Sequence, residues 1–118
     1  MKKYLLFLFL IAFAFAEDIP EISWEQVPDF TKKGAVVLDV RTQEEVLEGA
    51  VLNALFIPLQ ELEMRISELP KDKTILVYCR SGRRSAKATA FLIHKGYKAY
   101  NIQGGFLAVP PKKIIPHS

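Results

Sequence analysis

"TILVYCRSGRRSAKATAFLIHKG", residues 74–96, places a strand, a loop and a helix in direct succession. The first six residues form a continuous apolar, β-branched run, the pattern of a strand covered on both faces. The run stops at Cys79, the only cysteine in the chain. "RSGRRS" follows, and from Ser85 an alanine-rich segment shows helical spacing until Gly96 ends it. A strand that feeds a helix through a glycine-containing loop belongs to an α/β architecture. In such folds ligands bind beyond the carboxyl ends of the strands.

Working outward, the same alternation recurs. "AVVLDV" (35–40) predicts a second buried strand, "ALFI" (54–57) a short one ended by Pro58, and "KAYNI" (98–102) a last one. Between them, "TQEEVLEG" (42–49) carries a capping box, Thr42 with Glu45, closed by Gly49. "LQELEMRISEL" (59–69) places Leu59, Leu62, Ile66 and Leu69 on one helical face before Pro70. Near the start, Ser23 and Gln26 form another capping pair, and Pro28 predicts that this helix is short or irregular. Strands separated by helices imply crossover connections, a parallel sheet and helices on both faces. No repeat or internal linker divides the chain. The segment 110–118 has three prolines and reads as an extended or loose tail.

The chain has 118 residues, enough for one domain; half are apolar and a quarter charged. Residues 1–16 have the order of a secretory signal: Lys2 and Lys3, an apolar run from Tyr4, and "AFA" at 14–16 as a cleavage site. The apolar run is shorter than the roughly 20 residues of a membrane span, so a cleaved leader is expected rather than a stable anchor. No cysteine flanks the site to carry a lipid. Export would place the protein in the periplasm or outside the cell. Loss of residues 1–16 removes two lysines and no acid, which lowers the formal charge from +3 to +1. That balance gives no support to nucleic-acid binding, which usually needs a broad basic patch. A lone cysteine forms no internal disulfide, and in an oxidising compartment a free thiol has to be used or buried.

The loop after Cys79 has the composition of an anion cradle. A helix N-terminus offers unpaired N–H groups and partial positive charge, and Gly82 lets successive amides turn inward. A thiol in that field is acidified toward the reactive thiolate. Arg83 and Arg84 stand where the helix dipole favours acids, a local conflict that suggests a functional demand for an anion. The dipole argument alone makes Arg84 slightly unfavourable for the fold. The local sequence also admits a buried structural Cys79 with solvated arginines. No metal-ligand cluster is visible. His94 falls near the end of its helix, about 13 Å along the axis from Ser85, too far to serve Cys79 as a base. "GG" at 104–105 reads as a weak turn signal and not as a phosphate loop.

"VVLDVRTQEEVLEG", "IPLQELE", "ILVYCRSGRRSAKATAFLIHKGY" and "NIQGGF", taken in this order over residues 23–108, resemble a single-domain rhodanese. The rhodanese-like domain would then run from 17 to 109. The resemblance implies a five-stranded parallel sheet between helices and sulfur transfer through a cysteine persulfide, with no cofactor. It makes Cys79 the sulfur carrier and the loop of Arg80, Ser81, Gly82, Arg83, Arg84 and Ser85 the substrate cradle. Arg84 would face an incoming sulfonate, and Asp39 and Arg41 would be structural or orienting. The implied partners are a small sulfur anion such as thiosulfate or polysulfide as donor, and a thiol, cyanide or partner protein as acceptor. The chain departs from the family pattern at Ala50 and Asn53, where His and Gly are usual, and at Val109, where the family commonly ends in Trp. Two other functions fit the same residues. One is a persulfide-holding delivery module with little turnover. The other is a phosphatase or arsenate reductase, although those use Cys-x5-Arg and here only four residues separate Cys79 from Arg84.

Overall fold

The computed structural model of the chain describes residues 19–115. The expected leader and the last three residues of the tail lie outside the described residues. Eleven regular elements follow one another: β1 (Glu21–Ile22), α1 (Val27–Lys32), β2 (Val36–Asp39), α2 (Gln43–Leu47), β3 (Ala50–Val51), β4 (Leu55–Phe56), α3 (Leu62–Arg65), β5 (Ile75–Tyr78), α4 (Arg83–His94), β6 (Ala99–Ile102) and β7 (Ile114–Ile115). Five strands form a parallel sheet in the order β1-β6-β5-β2-β4. This is the expected α/β class. The central strand β5 pairs with β2 (Asp39 opposite Tyr78) and with β6 (Val77 opposite Asn101).

Both faces of the sheet are covered, which explains the unbroken apolar runs of the central strands. Along β5 the side chains alternate. Ile75, Val77 and Cys79 join the core under α4 with Leu38, Leu62, Ala88 and Leu92. Leu76 and Tyr78 join the opposite core with Trp24, Val27, Val37 and Ile102. The period of two therefore turns the Cys79 sulfur toward α4 and the Tyr78 ring away from it.

Two sequence expectations need adjustment, and β1 was not foreseen. The helix expected over 59–69 is broken into a 3₁₀ turn (Leu59–Glu61), α3 and a second 3₁₀ turn (Ile66–Glu68). Leu69 precedes Pro70 and is extended (φ −93°, ψ 133°), so the last turn tightens to reach it. The helix around Pro28 is short and irregular, as expected: a 3₁₀ turn (Trp24–Gln26) leads into the six-residue α1, and Pro28 sits in the first turn of α1, where no amide partner is needed. The tail is extended but not loose: a 3₁₀ turn at Pro111–Lys113 leads into β7, which pairs antiparallel with β3 (Ala50 opposite Ile115). Finally, β1 escaped the sequence reading because two residues show no periodicity.

The two departures near α2 now have structural counterparts. Ala50 belongs to the strand that receives the tail. Asn53 has φ 66° and is the sole non-glycine residue with a left-handed backbone among those described. Asparagine tolerates that region better than most residues, so it can stand where the resembled family uses glycine.

Candidate active site

Cys79 immediately follows β5, and Gly82 caps α4 with φ 111°, a conformation that suits glycine. This turn directs the Gly82 amide at the cysteine: its N–H donates to Sγ at 3.1 Å. The Ser85 hydroxyl, from the first turn of α4, lies 3.3 Å from the same sulfur. Cys79 itself is only 1% exposed, so the sulfur lies beneath the loop that follows it. Burial pushes the thiol up and is the largest single influence. The Ser85 hydroxyl together with the amides of Ser85, Gly82 and Ser81 more than offsets it and holds the thiol below its ordinary range. The arrangement favours a thiolate without a neighbouring base. His94 is the last residue of α4, at the far end of that helix from the loop.

The arginines are deployed differently from the expectation. Arg80 and Arg83 are exposed, and the leading acidifying groups at Cys79 are amides and a hydroxyl rather than guanidinium groups. Arg84 is held: Nη1 donates to Glu45 Oε1 at 2.7 Å and Nη2 to Oε2 at 2.9 Å. Glu45 is also the capping residue of α2, accepting from the Thr42 amide at 3.0 Å. The Arg84 guanidinium beside Glu45 draws that carboxyl down to about 2. The Glu45 carboxylate above all, with smaller contributions from the charges of Cys79 and Asp39, pushes the Arg84 guanidinium pKa up. Arg84 thus stands near the sulfur as one half of an ion pair and not as a free cation.

Asp39 and Arg41 form a buried pair. Arg41 Nη2 donates to Asp39 Oδ2 at 2.8 Å and to the Gly49 carbonyl at 2.7 Å, and Nε donates to Asp39 Oδ1 at 3.0 Å. The guanidinium lies over the Phe106 ring, 4.1 Å from its centroid. Tyr78 completes the cluster by donating to Asp39 Oδ2 at 2.6 Å and accepting from the Val51 amide at 3.2 Å. Burial and the Asp39 carboxylate together push the Tyr78 phenol up. Neither Asp39 nor Arg41 bonds to the Cys79 sulfur; their contacts hold β2, the α2–β3 turn and β5 together.

Three contributors were missed in the sequence reading. Glu45 was read only as a helix cap. Asn101 of β6 has Oδ1 2.6 Å from the Ser85 hydroxyl and donates from Nδ2 to the Gly82 carbonyl at 3.2 Å, which ties the sheet to the loop. A buried polar residue inside an apolar strand was the available signal. Gly105 packs against the end of β5 so closely that a Cβ there would lie 2.6 Å from the Cys79 carbonyl oxygen. Around it, the Phe106 amide donates to Cys79 O at 2.8 Å and the Leu107 amide to Arg80 O at 3.1 Å. The "GG" pair is therefore a close backbone approach rather than a simple turn. Among the described residues no cluster of three or more potential metal ligands occurs.

With this geometry in place, the likeness to known proteins is informative. The profile of the Rhodanese-like domain matches residues 23–109. A protein named "Sulfurtransferase" from Allochromatium vinosum is 40% identical over 74 residues, covering 62% of this chain and 69% of that one. A "Thiosulfate sulfurtransferase GlpE" from Coxiella burnetii is 34% identical over 85 residues, covering 71% and 77%. Among solved structures, a rhodanese-like domain protein from Staphylococcus aureus superposes with a TM-score of 0.76 at 26% identity, covering 85% of this chain and 100% of that one.

Proposed function

The chain belongs to the rhodanese-like domain family, and from that premise we propose that it is a sulfurtransferase working through a Cys79 persulfide. The observation that carries the reading is the sulfur of Cys79 receiving the Gly82 amide at 3.1 Å with the Ser85 hydroxyl 3.3 Å away. These donors favour an anionic sulfur, and a thiolate is the competent nucleophile.

With thiosulfate as donor, the Cys79 thiolate attacks the outer sulfur. A bond forms between Sγ and that sulfur, the donor S–S bond breaks, and its electron pair leaves with sulfite. The charges balance, because a thiolate and a dianion become a persulfide anion and a dianion. The loop amides stabilise the charge as it moves. A thiol or cyanide then attacks the outer sulfur of the persulfide and regenerates the thiolate. The cycle as written requires no cofactor. Four residues between Cys79 and Arg84 make a tighter loop than the Cys-x5-Arg cradle of a phosphatase, which favours sulfur over a tetrahedral phosphate.

A second reading is a persulfide carrier that turns over slowly on free thiosulfate and delivers sulfur to a partner protein. Two observations favour it: the thiol is 1% exposed, and Arg84 is already engaged by Glu45 at 2.7 Å. Thiocyanate formation from thiosulfate and cyanide separates the two. Rapid turnover supports the enzyme, persulfide formation with negligible turnover supports the carrier, and phosphate-ester hydrolysis without persulfide overturns both. The order of charge, apolar run and "AFA" in residues 1–16 further supports export to the periplasm or beyond after loss of that segment.

A further inference from the structure

The Ser85 hydroxyl has one proton and two takers. Its oxygen lies 2.6 Å from Asn101 Oδ1 and 3.3 Å from Cys79 Sγ. A hydroxyl donates one hydrogen while its lone pairs can still accept. When it donates to Asn101, its oxygen can accept from the Cys79 S–H, which favours the neutral thiol. When it rotates to donate to Sγ, it favours the thiolate and leaves Asn101 Oδ1 without that donor. The direction of the Asn101 amide is fixed by its other end. Nδ2 faces two acceptors, Gly82 O at 3.2 Å and Glu21 Oε2 at 3.3 Å, so Oδ1 must face Ser85. Asn101 is 2% exposed and Ser85 0%, so water does not readily substitute for either partner.

We propose that Asn101 is a positioning residue that competes with the Cys79 sulfur for the Ser85 proton and so keeps the resting thiolate from being over-stabilised. The consequence for sulfur chemistry follows from where the charge sits. In the thiolate the charge is on Sγ, and the hydroxyl is pulled from Asn101. In the persulfide the charge has moved to the outer sulfur, Sγ is a weak acceptor, and the hydroxyl returns to Asn101. The competition thus raises the reacting thiolate relative to its loaded product. A thiolate satisfied too well is a weaker nucleophile. The inference deepens the proposed function and rests on Cys79 being the working nucleophile. Its test reads only the protonation of the thiol, so its failure is distinguishable from failure of sulfur transfer.

Other charges around Cys79 stay constant in the test. On α4 and its loop these are Arg84, paired with Glu45 of α2, and the exposed Arg80 and Arg83. On β2 they are Asp39 and Arg41, already paired with each other and with Tyr78. On β1 the nearest is Glu21, behind Asn101. Since Ala86 N donates to Gly82 O at 3.1 Å, that carbonyl keeps a partner when the Asn101 amide is removed.

The experiment is a pH titration of the thiolate's ultraviolet absorbance in the full chain, where Cys79 is the only cysteine. The variants are Asn101→Leu, alike in branching though larger, and Asn101→Ala in case the leucine does not fold. Either should lower the Cys79 pKa by about one pH unit, the scale of one charge-assisted hydrogen bond. In a Ser85→Ala background the same substitution should leave the pKa unmoved. A merely structural Asn101 gives the opposite sign, because a displaced loop withdraws amides from the sulfur and raises the pKa. An unchanged or raised pKa, or an equal drop in the Ser85→Ala background, overturns the proposal.

Discussion

Arg84, in the first turn of α4, and Glu45, in α2, are joined by two hydrogen bonds of 2.7 and 2.9 Å across 39 residues of sequence. The pair reverses the expectation drawn from the helix dipole alone. Removing Arg84 relieves a cation at a helix N-terminus but strands a carboxylate that also caps α2. The two side chains are 35% and 22% exposed, so the loss is that of a partly solvated ion pair. Arg84→Ala should lower stability by about 1 kcal/mol and slow sulfur uptake from thiosulfate. Chemical denaturation alongside persulfide-formation rates measures both. Higher stability in the variant would restore the dipole argument.

The same pair predicts an acid limb. Arg84 holds the folded carboxyl of Glu45 at about 2, against an ordinary value of 4.5. A carboxyl depressed by folding stabilises the protein fully above the unfolded value, and that contribution is lost as pH falls through the folded one. The stability difference between wild type and Glu45→Gln should therefore be constant above about pH 5 and shrink toward pH 2. A difference that grows on acidification contradicts the assignment.

Gly105→Ala should damage the site from behind. The added Cβ would meet the carbonyl oxygens of Arg80 and Cys79 at 2.5 and 2.6 Å, on a backbone with φ 59°. The collision alone should cost about 1–3 kcal/mol and displace the loop, so persulfide formation per folded molecule should fall. Urea denaturation combined with that rate checks it. Full stability with full activity would show that the approach can relax.

The Asp39–Arg41–Tyr78 cluster predicts a separation of stability from chemistry. Tyr78→Phe leaves the buried Val51 amide without its acceptor, a loss of about 1–3 kcal/mol. Asp39→Asn breaks a pair whose members are 1% and 3% exposed, a loss of about 3–5 kcal/mol. Persulfide formation normalised to folded protein should change little in Tyr78→Phe. A large rate loss with intact stability would instead place the cluster in the reaction.

The sequence disclosed the architecture because its central strands are apolar on both faces and its helices carry capping boxes. It singled out Cys79 because a lone thiol stood at the end of one of those apolar runs. It did not show the Glu45 partner of Arg84, since no local pattern announces that a capping carboxylate will turn to a helix 39 residues away. Asn101 and Gly105 stayed hidden for the same reason. Their effect on the loop comes from strand order, which brings β6 beside β5, and not from neighbours in the chain. The tail's strand was obscured by its prolines, because the pairing of Ile114 and Ile115 with β3 is a long-range event.

The proposed export predicts a processed N-terminus. Sequencing the protein recovered outside the cytoplasm should begin at Glu17. A chain retaining Met1 in the membrane fraction would contradict the leader assignment.

The central claim is that Cys79 carries sulfur, and intact mass spectrometry tests it most directly. Wild-type protein exposed to thiosulfate or polysulfide should gain the mass of one sulfur atom, and cyanide should remove it. Cys79→Ser, nearly isosteric, should fold and show no adduct. Absence of any adduct on folded wild-type protein with either donor, together with hydrolysis of a phosphate ester, would contradict the account.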